Sequence, residues 1–400
     1  MSIVSNTQVA IIGAGPAGLL LGRLLTLSGI HNVILEARDR HYVEHRLRAG
    51  LLEQPTVDLL NAIGVSDRLH REGKFHEGFE LRFEGRRQRI DMRNLTGRAI
   101  TVLYPQTEVV KDLLAARDLT GDPIHFEVSD VRLDRIQSDA PVVHYQDKSG
   151  STHTLTATFV AGCDGFHGVC RQAIPGDLLT VFMRDYPFAW LGILAEAPPI
   201  SNEIIYAHHR RGFSMQSMRS DQISRLYLQV PPDDTIENWS AERIWKELQT
   251  RMKTSDNSRL NEGPIIQQSI TRMRSFVVEP LQYGNLFLAG DAAHIVPPTA
   301  AKGLNLAAAD VSVLSDGFIT YFKQGNRTVL DRYSEVALQR IWRAQEFSRS
   351  MTELLHYIPG QHFDERLQRA RLKDLVSSRA ALTAFCENYT GLPFAGRIHH

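Results

Sequence analysis

A glycine-rich turn near the start of the chain has the residue spacing of a dinucleotide-binding site. The run "GAGPAG" places Gly13, Gly15 and Gly18 where a tight turn, a close approach to a pyrophosphate and close helix packing each exclude a side chain. It follows the apolar run 8–12 and opens a segment with helical spacing, whose first amides favour phosphate. Glu36 ends the next apolar run, where its carboxylate can accept ribose hydroxyls and would repel a 2′-phosphate. This site therefore suits FAD or NAD better than NADP.

The segment "GDAAHIVPPTAAKGLNLAAAD", residues 290–310, offers a second place for a polar ligand. A buried strand ends on Gly290, and the carboxylate of Asp291 could bind a ribityl or ribose hydroxyl. A helix that starts after Pro298 would present amides to a partly negative ring edge. By itself the segment fits equally well a solvated aspartate and a loop that ends in proline. Since the chain has one glycine fingerprint, a second site favours FAD, a long molecule held at both ends.

A third group of residues could bind a carboxylate. In "FSMQSMRS", Ser217 and Arg219 are two residues apart and lie on one face of a predicted strand, and Tyr227 on the next strand could reach the same pocket. A carboxylate ligand calls for a planar, bidentate cation with neutral donors around it. Taken alone, Arg219 is also compatible with an exposed position on a strand.

The elements that must hold these residues predict a mixed α/β protein with a Rossmann-like domain. The first 36 residues form a βαβ unit, which implies a parallel sheet. Short aromatic or β-branched runs follow residue 176 and predict an antiparallel sheet with one solvent-exposed face. We therefore predict an FAD-binding domain at 1–175, continued by 275–330. An antiparallel-sheet substrate domain interrupts it at 176–274, and a helical segment suited to an interface follows at 331–400.

Composition narrows the classes of function. The 400 residues include 45 basic and 45 acidic side chains, and this balance argues against nucleic-acid or membrane-surface binding. The sequence has no apolar run of 18 residues and no signal-peptide pattern, so we expect a cytoplasmic protein. Cys163, Cys170 and Cys386 lack metal-ligand spacing, which favours a reducing compartment and no metal site.

The motifs "GAGPAG", "AGCDGFHG" and "LFLAGDAAHIVPPTAAKGLNLA" occur in the order and at the separations that single-component flavin aromatic hydroxylases show. The resemblance extends over nearly the whole chain, through "RAGLLEQPTVDLL", "CDGFHGVCRQAIPG", "RSFVVEP" and "ENYTGLP". It implies FAD as cofactor and NADPH or NADH as transient co-substrate. The implied partners are a small aromatic carboxylate, O2 and a second copy in a homodimer. The implied reaction is hydroxylation of 4-hydroxybenzoate to 3,4-dihydroxybenzoate (protocatechuate) through a flavin hydroperoxide.

The resemblance also implies roles for individual residues. Ser217, Arg219 and Tyr227 match the positions that clamp the substrate carboxylate. Tyr206 and Tyr389 match two tyrosines that relay the phenol proton, with His76 at the outer, solvent-linked end. Pro298 matches the residue that faces the phenol oxygen. The implied cofactor contacts, besides the three glycines and Glu36, are Arg48, Gln106, Asp164, Asp291, Lys302, Gly303, Leu304 and Asn305, while Arg225 matches an arginine associated with flavin movement.

The nicotinamide site is implied to be a surface formed by Arg38, Tyr42, Arg46, His167 and Arg274. Family members strict for NADPH tend to carry Arg-Gln directly after the glutamate, where this chain has Ala37 and Arg38, and Glu44 adds a negative charge. Loss of a cation and gain of a carboxylate weaken 2′-phosphate binding. We therefore predict relaxed or NADH-leaning specificity.

A second departure from the family pattern is Ala300, which replaces the glycine of "PPTGAKGLN". If that position requires a positive φ, alanine costs about 1 kcal/mol; if it does not, the cost is small. The substitution leaves the fold prediction intact and bears on the shape of the pocket.

Three other functions remain compatible with parts of the sequence. A related flavin hydroxylase that acts on another hydroxy- or aminobenzoate would use the same Arg219 anchor. A scaffold protein that binds flavin or nicotinamide without turnover would not need the anchor and relay residues together. A plain NAD-dependent dehydrogenase would not need the motifs at 164–165 and 290–291.

Overall fold

The computed structural model describes residues 3–46, 50–101 and 104–394; Arg48 lies outside these ranges. Its strands are β1 Ile3–Ile12, β2 Asn32–Leu35, β3 Phe75–His76, β4 Gly78–Phe83, β5 Arg86–Asp91, β6 Ile100–Thr101, β7 Ile124–His125, β8 Ser129–Asp134, β9 Val142–Gln146, β10 Thr152–Gly162, β11 Thr180–Ala195, β12 Ile204–Ala207, β13 Ser214–Met218, β14 Ser224–Val230, β15 Ile265–Glu279, β16 Gln282–Tyr283, β17 Leu286–Leu288 and β18 His294–Ile295. Its α-helices are α1 Pro16–Leu27, α2 Arg40–His45, α3 Gln54–Ala62, α4 Asp67–Glu72, α5 Met92–Thr96, α6 Gln106–Thr120, α7 Ala241–Arg251, α8 Gly303–Gln324, α9 Thr328–Asp331, α10 Tyr333–Leu355, α11 His362–Ser377 and α12 Arg379–Thr390.

The first large sheet contains the predicted βαβ unit. Its main path runs β16-β17-β10-β1-β2-β7, and the five strands from β17 to β7 are parallel. The parallel sheet expected from the apolar runs at 8–12 and 32–36 is thus confirmed. Val9 to Ile12, Ile34 and Leu35 are buried, as is typical of strands covered on both faces.

Helices α1 and α8 pack against each other beside this sheet. α1 begins with Pro16 at its first position, where a missing amide hydrogen costs nothing. α8 is rich in alanine and is buried for most of its length, from Leu304 to Phe318. Both helices begin near the carboxyl ends of parallel strands, the edge at which open α/β sheets bind ligands.

The second large sheet has the strand order β18-β15-β11-β14-β13-β12-β4-β5. All its pairs are antiparallel except β12 with β4. The predicted division at residue 175 does not follow this sheet, because β4 and β5 come from the first part of the chain. The sequence of β5, "RRQRID", is charged at most positions and carries no apolar alternation that would predict a strand.

The two faces of the second sheet are both covered in part. The face away from the predicted substrate residues packs against α7, whose Ile244, Trp245 and Leu248 join a core with Leu226 and Leu228. That expectation of one wet face is therefore wrong here. The opposite face packs against α10, α11 and α12, and this inner face carries most of the predicted substrate residues.

Candidate functional site

The start of α1 has the geometry of a phosphate cradle. Gly13 has a φ of +104°, and a Cβ atom at this residue would overlap the carbonyl of Cys163. A Cβ at Gly15 would meet only open space, which leaves the backbone there accessible to a ligand. The amides of Gly15, Ala17 and Gly18 donate to no acceptor among the described residues. These free donors at a helix N-terminus suit a pyrophosphate.

Glu36 lies at the end of β2 beside this cradle. Its two carboxylate oxygens accept from the amides of Ala14, at 2.7 Å, and Arg38, at 2.8 Å. Each oxygen keeps a further lone pair, so the carboxylate can still accept ribose hydroxyls.

Asp164 supplies a buried acceptor near the same turn. One of its oxygens accepts from the Cys170 amide at 2.8 Å, and the other is buried with no hydrogen-bond partner among the described residues. Burial raises the pKa of this carboxyl. A buried polar atom without a partner is costly, and a hydroxyl of a bound cofactor would satisfy it.

The Gly290–Asp291 turn is held by two side chains that sequence reasoning missed. The Gly290 amide donates to Asp310 at 2.9 Å, and the same oxygen lies 2.5 Å from His294 Nε2. Gly290 has a φ of +65°, which favours glycine there. Asp291 is exposed and can bind a ligand hydroxyl. A carboxylate within an alanine-rich buried helix was the signal that could have revealed Asp310.

Arg171 is a further missed residue. Its guanidinium donates to the carbonyls of Ala292, at 3.0 Å, and Phe166, at 2.5 Å. It therefore joins the loop after Asp164 to the turn at Asp291, so that the two predicted cofactor motifs keep a fixed separation.

The start of α8 presents a second set of donors. The amides of Gly303, Leu304 and Asn305 donate to no acceptor in the part of the chain that the structure describes. They form the helix N-terminus that the sequence predicted beside the ring edge. Ala300 lies in a 3-10 turn at negative φ, whereas Ala301 has a φ of +51°. The methyl group of Ala300 therefore costs little stability, and the strained residue is Ala301.

The side chains of Lys302 and Asn305 are engaged with protein groups, which differs from the direct cofactor contact that we expected. The buried Lys302 ammonium lies 2.5 Å from Glu53 and also donates to the carbonyls of Asn388 and Tyr389. The side-chain amide of Asn305 makes four hydrogen bonds, and its Nδ2 group has no remaining hydrogen to donate. Both side chains fix the loop, and the backbone amides face the ligand region.

The predicted carboxylate clamp lies on the inner face of the second sheet. Ser217 pairs with Arg225 and Met215 with Tyr227, so alternate residues of β13 and β14 share this face. Arg219, one residue beyond β13, forms no ion pair with a described carboxylate. Burial and the nearby Arg225 lower the pKa of Arg219. A partly desolvated, unpaired guanidinium suits an anionic ligand.

The two predicted relay tyrosines meet. The hydroxyls of Tyr206, on β12, and Tyr389, on α12, lie 2.6 Å apart, and both rings are buried. Burial raises the pKa of each tyrosine, so both stay neutral near pH 7. Phe79 packs on both rings, with centroids 5.9 Å from Tyr206 and 5.0 Å from Tyr389.

His76 is not at the solvent-linked position that we expected. In β3 the neighbouring Phe75 faces outward, so alternation directs His76 inward, and its ring is 3% exposed. Neither ring nitrogen has a hydrogen-bond partner among the described residues, and burial lowers its pKa to about 4. Pro298, by contrast, is exposed between the buried Pro297 and Thr299, where it can face a ligand.

The predicted nicotinamide residues form two groups, in which all but the half-buried Arg274 are exposed. On α2 and its flanks, the guanidinium carbons of Arg38 and Arg46 lie 5.3 and 5.8 Å from the centre of the Tyr42 ring. In the other group, Arg274 lies 5.2 Å from the Phe166 ring centre, and His167 packs edge-on against the same ring.

Gln106 is the first residue of α6, and Pro105 before it provides no side-chain cap. Its half-buried side chain has no hydrogen bond to a described residue. The position therefore leaves the Gln106 side-chain amide available to a ligand, which is the role that the family resemblance implies.

Two classes of site find no support in the described ranges. Within residues 3–46, 50–101 and 104–394, no group of His, Cys, Asp and Glu side chains is arranged to hold a metal ion. Over the same ranges, no helix combines the length and the apolar character needed to cross a membrane.

Comparison with known proteins finds similarity over most of the chain. Residues 6–348 match the family described as FAD binding domain. The chain is 48% identical over 391 residues to p-hydroxybenzoate hydroxylase of Acinetobacter baylyi, covering 97% of this chain and 96% of that protein. It is 25% identical over 318 residues to a probable NADH-specific resorcinol 4-hydroxylase of Rhodococcus jostii, covering 74% of this chain and 56% of that protein.

A solved structure supports the fold. The p-nitrophenol 4-monooxygenase of Pseudomonas putida DLL-E4 superimposes with a TM-score of 0.81 at 19% identity, covering 97% of this chain and 98% of that chain. At this level of identity the similarity concerns the fold alone.

Proposed function

The chain belongs to the FAD binding domain family and is a flavin-dependent aromatic monooxygenase, and we propose that it hydroxylates 4-hydroxybenzoate to 3,4-dihydroxybenzoate with NAD(P)H and O2. The observation that carries the choice of substrate is the contact of the Tyr206 and Tyr389 hydroxyls, 2.6 Å apart, on the sheet face that also carries the clamp residues. A para-hydroxybenzoate has an acid and a phenol at opposite ends of one ring, and this face offers a partner for each.

Arg219 anchors the acid end in this proposal. Since it has no carboxylate partner among the described residues, the substrate supplies the missing anion. A carboxylate can receive two parallel N–H bonds from a guanidinium, and the hydroxyls of Ser217 and Tyr227 add neutral donors. This arrangement fixes both the position and the orientation of the ring.

The phenol end is where Tyr206 acts. A free phenol has a pKa near 10, and ring hydroxylation is favoured when the phenol loses its proton. The Tyr206 hydroxyl can stabilise the phenolate oxygen by donating to it, while Tyr389 donates to Tyr206. Before the proton leaves, the phenol donates to Tyr206 and Tyr206 donates to Tyr389. The change from this arrangement to the reverse one moves one proton from the phenol to the far side of Tyr389, and both tyrosines stay neutral because burial raises their pKa values.

The residues at the first sheet fit FAD. The free amides at α1, the unpartnered oxygen of Asp164 and the free amides at α8 match a pyrophosphate, a hydroxyl and a ring edge in turn. When bound, FAD supplies hydride acceptance and the activation of O2. The protein positions the substrate ring and keeps water from the reacting atoms.

The reductant is proposed to be NADH as readily as NADPH. Arg40, on α2, donates to Glu44 at 2.7 Å and binds Asp118 with both terminal nitrogens. Two carboxylates thus engage this cation, whereas Arg38 and Arg46 lie against the Tyr42 ring. Steady-state kinetics with both nicotinamides test this point, and NADPH better by a hundredfold in kcat/KM would refute it.

A homodimer is part of the same proposal. Phe182, Met183 and Trp342 are exposed apolar side chains that line a groove of about 700 Å³ between β11 and α10. Exposed apolar patches favour association, and α10 belongs to the segment 331–400 predicted as an interface. Light scattering on the wild type and on Trp342→Glu tests the assignment.

A cytoplasmic location is proposed on the cysteines. Cys163, Cys170 and Cys386 are all buried and unpaired, which suits a reducing compartment. Fractionation of the native host, with the protein followed by antibody, tests this proposal.

The function is tested with purified holoprotein. A yellow protein whose NAD(P)H oxidation is stimulated by 4-hydroxybenzoate, with stoichiometric dihydroxylated product, is the expected result. A panel of hydroxy- and aminobenzoates separates this reaction from that of a related hydroxylase. Absence of stimulation by 4-hydroxybenzoate would reject the proposal.

A further inference from the structure

The last turn of α10, with His356 and Tyr357 after it, is hydrogen-bonded to elements from both ends of the proposed substrate site. On one side it contacts strand β14, which carries Tyr227 of the acid clamp. On the other side it contacts the loop that carries Pro298. We call this segment, residues 352–357, the α10 spacer.

The contact with β14 passes through Gln229. This residue lies two positions after Tyr227 and therefore on the same face of the strand. Its side-chain oxygen accepts from the amides of Phe213, at 2.9 Å, and Tyr357, at 3.1 Å, and its amide nitrogen donates to the Tyr357 carbonyl at 2.6 Å. The spacer is thus bonded to the clamp strand through both backbone groups of one residue.

A second contact with the clamp passes through His356. The Trp190 indole nitrogen lies 2.6 Å from His356 Nε2, and His356 Nδ1 lies 2.9 Å from the Thr352 carbonyl. Because indole only donates, Nε2 accepts and Nδ1 carries the hydrogen. Burial lowers the pKa of His356 to about 3, so this neutral tautomer persists at neutral pH. Trp190 in turn packs on the Tyr227 ring, with centroids 4.7 Å apart.

The contact with the loop is a hydrogen bond between two buried threonines. The hydroxyls of Thr299 and Thr352 lie 2.8 Å apart. The Thr352 hydroxyl also lies 2.7 Å from the Ser348 carbonyl, which can only accept. The Thr352 hydroxyl is the donor in both contacts, so its single hydrogen is shared between the Thr299 hydroxyl oxygen and the Ser348 carbonyl. Thr299 follows Pro298 directly, so this bond fixes the loop at the phenol end.

We propose that the α10 spacer sets the distance between the acid clamp and the Pro298 loop, and so selects acids whose carboxylate and phenol are separated by a single benzene ring. This inference rests on the proposed function. Thr352, His356 and Gln229 are positioning residues in it, since they act through Thr299, Trp190 and Tyr357.

The test compares Thr352→Val with Thr352→Ser in the holoprotein. Valine keeps the shape of threonine and removes the hydroxyl that donates to Thr299, whereas serine keeps the hydroxyl. Binding is measured at equilibrium, without nicotinamide, from the change in flavin absorbance. The ligands are 4-hydroxybenzoate, benzoate, which engages only the acid end, and 4-hydroxyphenylacetate, which is one methylene longer.

Thr352→Val should raise the Kd for 4-hydroxybenzoate about tenfold, as expected when the buried Thr299 hydroxyl loses its hydrogen-bond partner and the Pro298 loop is no longer fixed. Its Kd for benzoate should stay within about twofold of wild type. Its preference for 4-hydroxybenzoate over 4-hydroxyphenylacetate should fall, and Thr352→Ser should resemble wild type throughout. Gln229→Met, which breaks the link at the other end, should give the same pattern if Thr352→Val does not fold.

Two results would overturn the inference. One is unchanged binding of all three ligands in Thr352→Val and Gln229→Met. The other is an equal loss of affinity for benzoate, which would indicate general damage to the pocket. If the wild-type holoprotein itself fails to bind 4-hydroxybenzoate, the proposed function fails, which is a distinct outcome from a variant that behaves like wild type.

Discussion

Substitution of Tyr206 by phenylalanine removes one hydroxyl from a buried pair. In the wild type, the Tyr206 and Tyr389 hydroxyls are 2.6 Å apart, and both side chains are at most 2% exposed. Tyr206→Phe leaves the Tyr389 hydroxyl without this partner in a dry environment. An unsatisfied buried hydroxyl costs about 1–3 kcal/mol of stability. We therefore expect the free energy of unfolding to fall by roughly that amount.

The effect on catalysis should exceed the effect on folding and should be confined to one step. A positioned proton acceptor contributes about a hundredfold or more to a rate that requires proton transfer. Without the Tyr206 hydroxyl the phenol keeps its proton, while hydride transfer from the nicotinamide needs no phenolate. Stopped-flow spectroscopy should show flavin reduction within about threefold of wild type, and product assays should show that hydroxylated product per NAD(P)H falls sharply.

Tyr186→Phe is the matched control for this experiment. Tyr186 is also a buried tyrosine of the second sheet, and its hydroxyl lies 3.1 Å from that of Ser275. Tyr186→Phe should lower the free energy of unfolding and leave the yield of hydroxylated product per NAD(P)H unchanged. Unchanged product yield in Tyr206→Phe, or equal uncoupling in Tyr186→Phe, would refute the role given to the tyrosine pair.

Three further predictions concern single residues of the site. Arg219→Ala should raise the Kd for 4-hydroxybenzoate about a hundredfold in flavin absorbance titrations, and an unchanged Kd would place the anchor elsewhere. Ala301→Gly should raise the free energy of unfolding by about 1 kcal/mol, because alanine at positive φ is strained. Ala300→Gly should lower it by about 0.5–1 kcal/mol. Urea unfolding measures both variants, and the opposite order of stability would contradict the backbone assignment. Burial lowers the pKa of His76 from 6.5 to about 4. Between pH 4 and 6.5 the unfolded state therefore binds more protons than the folded state. His76 should make the free energy of unfolding rise with pH across that window by up to about 3 kcal/mol. His76→Gln should flatten that part of the pH profile of urea unfolding, and an unaltered profile would argue against a buried neutral ring.

The parts of the fold that sequence predicted are those that local patterns determine. The strand, turn and helix around Gly13 follow from an apolar run, glycine spacing and helical periodicity within 30 residues, and the parallel sheet follows from their order. The meeting of Tyr206 with Tyr389 came from resemblance, because nothing local to either residue relates positions 183 residues apart in the chain.

Other features depend on contacts that local patterns do not contain. β5 is a strand because it pairs with β4 at the edge of the second sheet, although its charged sequence lacks apolar alternation. His76 is buried because Phe75 takes the outward position, and a two-residue strand is too short for periodicity to show this. The cover that α7 gives to the outer face likewise depends on packing between distant segments.

Around the start of α8, the Lys302 side chain binds protein groups, and the proposed cofactor contacts come from the backbone instead. The Lys302 charge is balanced by Glu53 at 2.5 Å, so the pair adds little net charge to the region in front of the helix. The free backbone amides of Gly303, Leu304 and Asn305 still point to the region in front of α8. They carry no net charge, and their dipoles are aligned along the helix. Lys302 also binds the carbonyls of Asn388 and Tyr389. One buried ammonium thus joins the start of α8, the proposed flavin contact, to the last turn of α12, which carries Tyr389 of the proposed relay. Its removal should disturb both ends of the proposed site together.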